Sequence, residues 1–445
     1  MRKFNFSIAL LLALCFSVAS VPAQTTATAT GSSADAVTEL DVNGLKVLVK
    51  RRPSSPTIAA GMFIRGGTQN LTSWTAGIEN MTLNVASEGS KSFPRTALRK
   101  EIAATASSVG AGSNRDFSVM SLASTRQHFE RSWKVFADLA MNPNFAPDDV
   151  ELVRERILAG LRSAEDTPEG SLASLEEKVL YAGHPYASDP NGTIENVSRF
   201  KPEDLRAYHQ KIMQTSQLLL VIVGDVDAAE IKKMVTETFG KLPRGSYQAK
   251  KVPGLTFAKP TLDITTRSLQ TNYVGGIFAA PSLADPDYYA MRVAVSVLAS
   301  RVFQEVRVKN NLSYAPTAEM NNMAANTANI SVSAVDASRA VSLMLSEINK
   351  LKTIPLERTD ILETGGFFLT TYYIKQETNA AQAAELASYE LIGGGWRNSV
   401  NFLDRIRSVT PADVQRVSRI YFKNIRFVVI GNPAQIDRNI FVTAE

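Results

Sequence analysis

Leu218-Leu219-Leu220-Val221-Ile222-Val223-Gly224-Asp225 returns roughly 210 residues later as Phe427-Val428-Val429-Ile430-Gly431-Asn432. Each is a continuous apolar, β-branched run that ends at a glycine, the pattern of a strand buried on both faces and closed by a turn. Each is preceded by a helix that Pro opens, at Pro202-Glu203-Asp204-Leu205 and at Pro411-Ala412-Asp413-Val414. Further upstream, Glu165 to Gly183 and Glu377 to Gly394 each read as a long helix ending in glycine. Self-similarity at this distance predicts two related copies of one domain.

Each copy mixes strands with long helices and lacks strict strand–helix alternation. The strand candidates of the first are Lys46 to Lys50, Thr57 to Ile64, Phe117 to Ser124 and Leu218 to Val223. Phe129, Trp133, Phe136 and Leu139 recur at helical spacing and read as a core stripe rather than a cofactor site. The expected fold is α+β: two homologous domains, each a mainly antiparallel sheet with helices packed on one face. The predicted boundaries are 37–240 and 261–445, joined by a linker over 241–260 that holds three prolines and two glycines. A chain of this length is too long for one hydrophobic core, which agrees with two domains.

At the N-terminus, Arg2-Lys3 precedes an apolar run from Ile8 to Val18 and then Val21-Pro22-Ala23. This reads as a signal peptide over 1–23 with cleavage near Ala23, too short and too polar in its sequel for a membrane span. Cys15, the one cysteine, lies inside that run, and Leu14 before it is not the small residue of a lipid-anchor site. The mature chain is therefore expected to lack disulfides and thiolate metal ligands, and to be secreted or periplasmic. Residues 24–36, rich in Thr, Ala, Ser and Gly, read as a disordered leader. Loss of Arg2 and Lys3 leaves 46 basic against 43 acidic residues, a net charge of +3 with no clustered basic stripe. Nucleic acid is thus not an expected partner.

Ala76-Gly77-Ile78-Glu79-Asn80-Met81-Thr82-Leu83-Asn84 has a more particular frame. It resembles the G-x-x-H-x-x-E-H helix of the pitrilysin and insulinase family of zinc metallopeptidases, the inverzincins, in which two histidines hold zinc and the glutamate is the general base. Here Asn80 and Asn84 stand at the histidine places, Leu83 at the base, and Gly160 at the place of the third ligand, a glutamate in the family. A neutral amide is a poor zinc ligand, and leucine cannot take a proton. Neither metal binding nor peptide hydrolysis by this chain alone is expected, and zinc is expected in a catalytic partner. His128, His184 and His209 are scattered, with His184 beside Pro185 reading as a turn residue. Glu79, Glu88, Glu155 and Glu165 read as solvated helix faces.

The resemblance extends over nearly all of the expected mature chain. Gly183-His184-Pro185-Tyr186, Gly192-Thr193 and Leu218 to Asp225 are similar to the end of the family's first domain. Ser300-Arg301-Val302-Phe303-Gln304-Glu305-Val306-Arg307 with Asn311-Leu312-Ser313-Tyr314 resembles its S-R-L-F-x-E-L-R and G-L-x-Y signature. Asn311 stands at a usual glycine but tolerates a left-handed backbone. The resemblance implies half of a clamshell that meets a second such half around a peptide chamber. In heterodimeric bacterial members one subunit carries zinc and its partner an arginine and tyrosine pair, which Arg307 and Tyr314 match. Such a pair can donate hydrogen bonds to a peptide carbonyl and the oxyanion formed from it. Spacing by itself allows a solvated helix arginine and a strand tyrosine with a wet tip. The favoured reading is a non-catalytic, peptide-binding subunit paired with an H-x-x-E-H sibling and acting on extended peptides. A peptidase with atypical ligands and a purely structural assembly partner are the alternatives.

Overall fold

The computed structural model of the chain describes residues 36–442. The expected signal segment, and all of the expected leader except Ala36, lie outside the described residues. The first sheet contains β1 (Val37–Val42), β2 (Leu45–Arg51), β3 (Thr57–Arg65), β4 (Ser108–Ser113), β5 (Phe117–Thr125) and β6 (Leu218–Gly224), in the order β1-β2-β6-β3-β5-β4. The second contains β7 (Thr261–Thr266), β8 (Asn272–Ala279), β9 (Thr317–Met320), β10 (Thr327–Ala334) and β11 (Arg426–Gly431), in the order β7-β11-β8-β10-β9. Each sheet is antiparallel apart from one parallel pair, β2 with β6 and β7 with β11. The fold is α+β, and the two halves repeat one plan.

β2, β3, β5 and β6 coincide with the strands read from the sequence to within a residue or so at each end. β1 and β4 carry weaker patterns. β4 reads Ser-Val-Gly-Ala-Gly-Ser and is a strand because β5 pairs along its whole length. Five helices of the first half recur below: α1 (Ile78–Ala86), α2 (Arg95–Thr105), α3 (Phe129–Met141), α4 (Pro147–Asp166) and α5 (Pro168–Leu180).

The repeated apolar run explains how the halves join. All of β6 is buried. Leu218, Leu220 and Ile222 face the first half's own core, with Trp133 and Phe136 of α3. Leu219, Val221 and Val223 face the opposite way and meet Ala383, Leu386 and Ala387 on the helix Asn379–Ile392, together with Trp396. That helix comes from the second half. The second half mirrors the arrangement: Phe427 and Val429 of β11 enter its own core, while Val428 meets Leu180 and Tyr181 at the end of α5. Each half packs its own helices on one face of its sheet and lends one helix to the other half's second face. A strand so covered must be apolar at every position, since a polar side chain on either side would be desolvated without a partner.

The two lent helices begin later than the sequence reading placed them, and their caps show why. Thr167 accepts a hydrogen bond from Gly170 N at 3.0 Å and Pro168 fills the first helical position. Thr378 accepts from Ala381 N at 3.1 Å. These side chains satisfy amides that the helix cannot, and so set its start. Polar contacts lock the exchange. Asn379 Nδ2 donates to Thr57 O at 2.6 Å, and Trp396 Nε1 donates to Glu39 at 3.0 Å. Residues 242–260 form neither helix nor strand, yet they are tied down: Tyr247 donates to Asn70 at 3.0 Å and Phe257 joins the apolar cluster under α5.

Candidate site: the degenerate metal helix and the arginine–tyrosine pair

α1 opens at Gly77, whose φ of 86° is left-handed. A Cβ there would lie 2.6 Å from Gly192 Cα, and one on Gly192 would lie 2.9 Å from Ala76 O. The two glycines thus let two backbone segments touch at the head of the helix.

The helix is buried on nearly all sides. Asn84 Nδ2 donates to Asn80 O at 2.8 Å and to Asn80 Oδ1 at 2.9 Å, and Asn80 Nδ2 reaches Asn191 Oδ1 at 3.4 Å. The two amides at i and i+4 are spent on each other. Leu83 is 1% exposed and belongs to the first half's core. Gly160 lies on α4, with no atom within 4 Å of where a Cβ would stand. Arg156, one turn before it, and Asn84 line one cleft, so α4 does run beside α1.

Glu79 departs from the sequence reading. It is 2% exposed rather than solvated, and accepts hydrogen bonds from Ser118 and from Tyr208 at 2.7 Å. Burial pushes its carboxyl up to about 7 against the pull of those two donors. With every face of α1 covered, no polar stripe existed to reveal which residues were inside. Glu88 is also mostly covered and pairs with Arg156 at 2.9 Å, whereas Glu155 and Glu165 are exposed. Among the histidines, His209 is buried 2.8 Å from Ala140 O, and burial holds its pKa below the usual value. His184 is the turn residue expected, accepting from Tyr186 N at 3.1 Å. Among the described residues no three His, Cys, Asp or Glu side chains gather as a metal site.

Arg307 and Tyr314 are brought together in the second half. The helix Tyr288–Val302 widens into a π-helical turn over Phe303–Lys309, a local form that recurs at functional positions. The chain then turns back: Asn311 N donates to Arg307 O at 3.1 Å, Leu312 N donates to Val306 O at 2.9 Å, and Asn311 adopts φ 49°. Asn311 therefore does the work expected of a glycine. This reversal lays the Arg307 guanidinium 4.0 Å from the centre of the Tyr314 ring and 5.0 Å from that of Phe303. Tyr314 is 78% exposed. Among the described residues neither the guanidinium nor the phenol hydroxyl has a hydrogen-bond partner. Tyr314 also stands just before β9, the free edge of the second sheet. No hydrogen bond, ion pair or ring contact among the described residues joins this pair to α1.

Residues 46–189 match the family described as Insulinase (Peptidase family M16), and residues 199–363 match the Peptidase M16 inactive domain. The chain belongs to the M16, or pitrilysin and insulinase, peptidase family. It is 24% identical over 278 residues to an uncharacterized zinc protease of Mycobacterium leprae (strain TN), covering 61% of this chain and 62% of that protein. This M16 chain thus aligns with about three fifths of that relative. The fold matches a peptidase M16 inactive domain from Pseudomonas fluorescens with a TM-score of 0.81 at 19% identity, covering 89% of this chain and 98% of the other. It also matches the periplasmic protease PqqL from Escherichia coli with a TM-score of 0.72 at 16% identity, covering 90% of this chain and 48% of that one.

Zinc enters through the name of the Mycobacterium relative, and the residues here do not fit it. Asn80 and Asn84, two amides bonded to each other, the core residue Leu83 and Gly160 offer no imidazole, thiolate or carboxylate. This member is of the type that lacks the H-x-x-E-H set.

Proposed function

We propose that this chain is the non-catalytic subunit of an exported two-chain zinc peptidase, and that Arg307 and Tyr314 reach the substrate at the zinc site of a sibling M16 subunit. The observation that carries this reading is the stacked pair, a half-buried Arg307 against an exposed Tyr314, whose donors have no partner among the described residues. A guanidinium held by a ring keeps its planar fork free to bind a carbonyl oxygen. A neighbouring phenol hydroxyl adds a second donor toward an oxyanion. The correspondence of this chain to 48% of PqqL supports a half that completes itself with another.

In this reading an extended peptide adds to a free sheet edge by main-chain hydrogen bonds. β4, beside α1, offers such an edge. Export to the periplasm or beyond, with cleavage near Ala23, belongs to the same proposal. The test is co-expression with an H-x-x-E-H sibling and assay of the copurified complex for zinc and peptidase activity. Activity in the complex, with none in this chain alone and a loss on Tyr314→Phe, is the expected result. A complex indifferent to both Arg307 and Tyr314 leaves a structural assembly partner as the better reading. Stoichiometric zinc and chelator-sensitive hydrolysis by the isolated chain would instead mean a peptidase with atypical ligands.

A further inference from the structure

A cleft of about 340 Å³ lies where α1, α2 and α4 approach the edge strand β4, and three guanidiniums converge on it: Arg95 and Arg99 from α2 and Arg156 from α4. Their charges are only partly answered. Arg156 pairs with Glu88 at 2.9 Å, and Arg95 lies 3.0 Å from Asp149 and 3.7 Å from Glu88. Arg99 makes no ion pair or hydrogen bond among the described residues. Three cations thus meet one carboxylate in the wall, Glu88, and one behind it, Asp149. Arg95 Nη2 is buried there without an acceptor. An N–H group so buried without an acceptor costs free energy even though Asp149 answers the charge of its guanidinium.

The wall formed by β4 has an equally specific character. β4 is the outermost strand, so the backbone groups along its outer side have no strand to bond. Its glycines are not needed for crowding: a Cβ on Gly112 would meet nothing within 4 Å, and one on Gly110 only Ser121 Oγ at 3.8 Å. Nor does either adopt a positive φ. Small residues on an uncovered edge leave room for a second backbone to approach. An extended peptide bonded along β4 would carry alternate side chains toward the arginines.

We propose that this cleft is a carboxylate-binding subsite for a peptide laid along β4, with Arg99 and Arg156 receiving an acidic side chain or the peptide's own C-terminal carboxylate. The proposal rests on the reading that the chain binds extended peptides, and it adds the chemical class of peptide preferred. Fork-shaped guanidiniums suit a planar carboxylate, and the amide of Asn84 at the cleft edge adds a neutral polar wall.

The test uses the isolated full mature chain, with no partner, and a labelled peptide of about ten residues rich in Val, Thr and Ser. Four versions are compared by fluorescence anisotropy: neutral and amidated, one Glu with an amidated end, one Lys with an amidated end, and a neutral body with a free C-terminal carboxylate. At least one carboxylate peptide is expected to bind about tenfold more tightly than the neutral one, with the Lys peptide weakest and the gap narrowing as salt rises. Which carboxylate peptide wins identifies the source of the anion. Arg99→Gln, at an exposed position whose loss leaves the fold intact, should remove most of the gap while neutral-peptide binding stays unchanged, and Arg156→Gln should act in the same direction. Equal binding of acidic and neutral peptides, a gap that survives the double substitution, or no binding of any peptide overturns the proposal. A two-chain complex that lacks peptidase activity, or whose activity is indifferent to Arg307 and Tyr314, with the carboxylate preference of the isolated chain intact, would sink the preceding section's reading and leave this one standing.

Discussion

The guanidinium of Arg307 lies 4.0 Å from the centre of the Tyr314 ring, so each side chain holds the other at the surface. The contact separates the two ways of disturbing the pair. Tyr314→Phe keeps the ring under the guanidinium and removes only the hydroxyl. It should lower kcat of the reconstituted complex roughly ten- to a thousandfold, the range for losing one positioned donor. Arg307→Ala should do at least as much, removing a charged donor and freeing the ring. Tyr314 is largely exposed, so Tyr314→Phe should change the stability of the isolated chain by no more than about 0.5 kcal/mol. Steady-state kinetics beside denaturant melts distinguishes these outcomes from simple unfolding.

Rebuilding the metal motif should fail in an informative way. Asn80→His, Leu83→Glu, Asn84→His and Gly160→Glu together restore the ligand types, but the groups around them were not arranged to orient imidazoles. Leu83→Glu also places a carboxylate at a core position that is 1% exposed. We expect zinc binding weak enough to be lost on gel filtration and a melting temperature below that of the parent. Calorimetric titration showing tight, one-to-one zinc with full activity and no partner would mean the surroundings had survived.

Three buried or half-buried carboxyls dominate the pH dependence of stability between about pH 5 and 8, outweighing the single His209, whose lowered pKa acts in the opposite direction. Burial raises Glu79, Glu176 and Glu385 to about 7 each, from 4.5. A carboxyl whose pKa is higher in the folded state binds protons more tightly there. Its contribution is full below about 4.5 and is lost as pH rises through about 7. The protein should therefore be less stable at pH 8 than at pH 5. Glu79, the most completely buried, should account for about 1–3 kcal/mol of that loss. Glu79→Gln should flatten the slope by that amount, measured as the urea midpoint at the two pH values. An unchanged slope would mean that Glu79 titrates near its ordinary value.

Tyr186 joins the halves at a buried point. Its hydroxyl donates to Asp116 and accepts from Ala325 N at 3.3 Å, while Ala324 N donates to the other Asp116 oxygen at 3.3 Å. Tyr186→Phe would leave an oxygen of Asp116, whose pKa burial already raises, and one amide across the interface unpaired. A loss of about 1–3 kcal/mol is expected. Amide exchange should quicken first at Ala324 and Ala325. Protection there equal to the parent's would show that water had replaced the hydroxyl.

Much of the scaffold was legible because apolar runs and glycine stops record burial directly. β2, β3, β5 and β6 followed from their composition, and the core stripe of α3 followed from its period. β4 was not legible, since Ser, Gly and Ala have no preference for a strand and only pairing with β5 makes one. Glu79 was misread because a helix buried all round has no exposed face for a periodic pattern to mark. Arg95, Arg99 and Arg156 form no pattern in the sequence, and their convergence depends on α2 and α4 meeting beside β4.

The amino-acid sequence by itself determined that the chain is built of two related halves, that the stretch Gly77 to Asn84 holds no histidine or cysteine, and that Arg307 and Tyr314 lie seven positions apart. These are matters of residue type and order. Only the tertiary structure decided that each half lends a helix to the other's sheet, that the two asparagines of α1 bond each other, and that the π-helical turn carries Tyr314 over Arg307. A run such as Leu218 to Val223 states that both faces of its strand must be covered, because water cannot be left against either. Which helix covers each face depends on contacts between residues more than 150 positions apart, and local pattern does not encode such contacts.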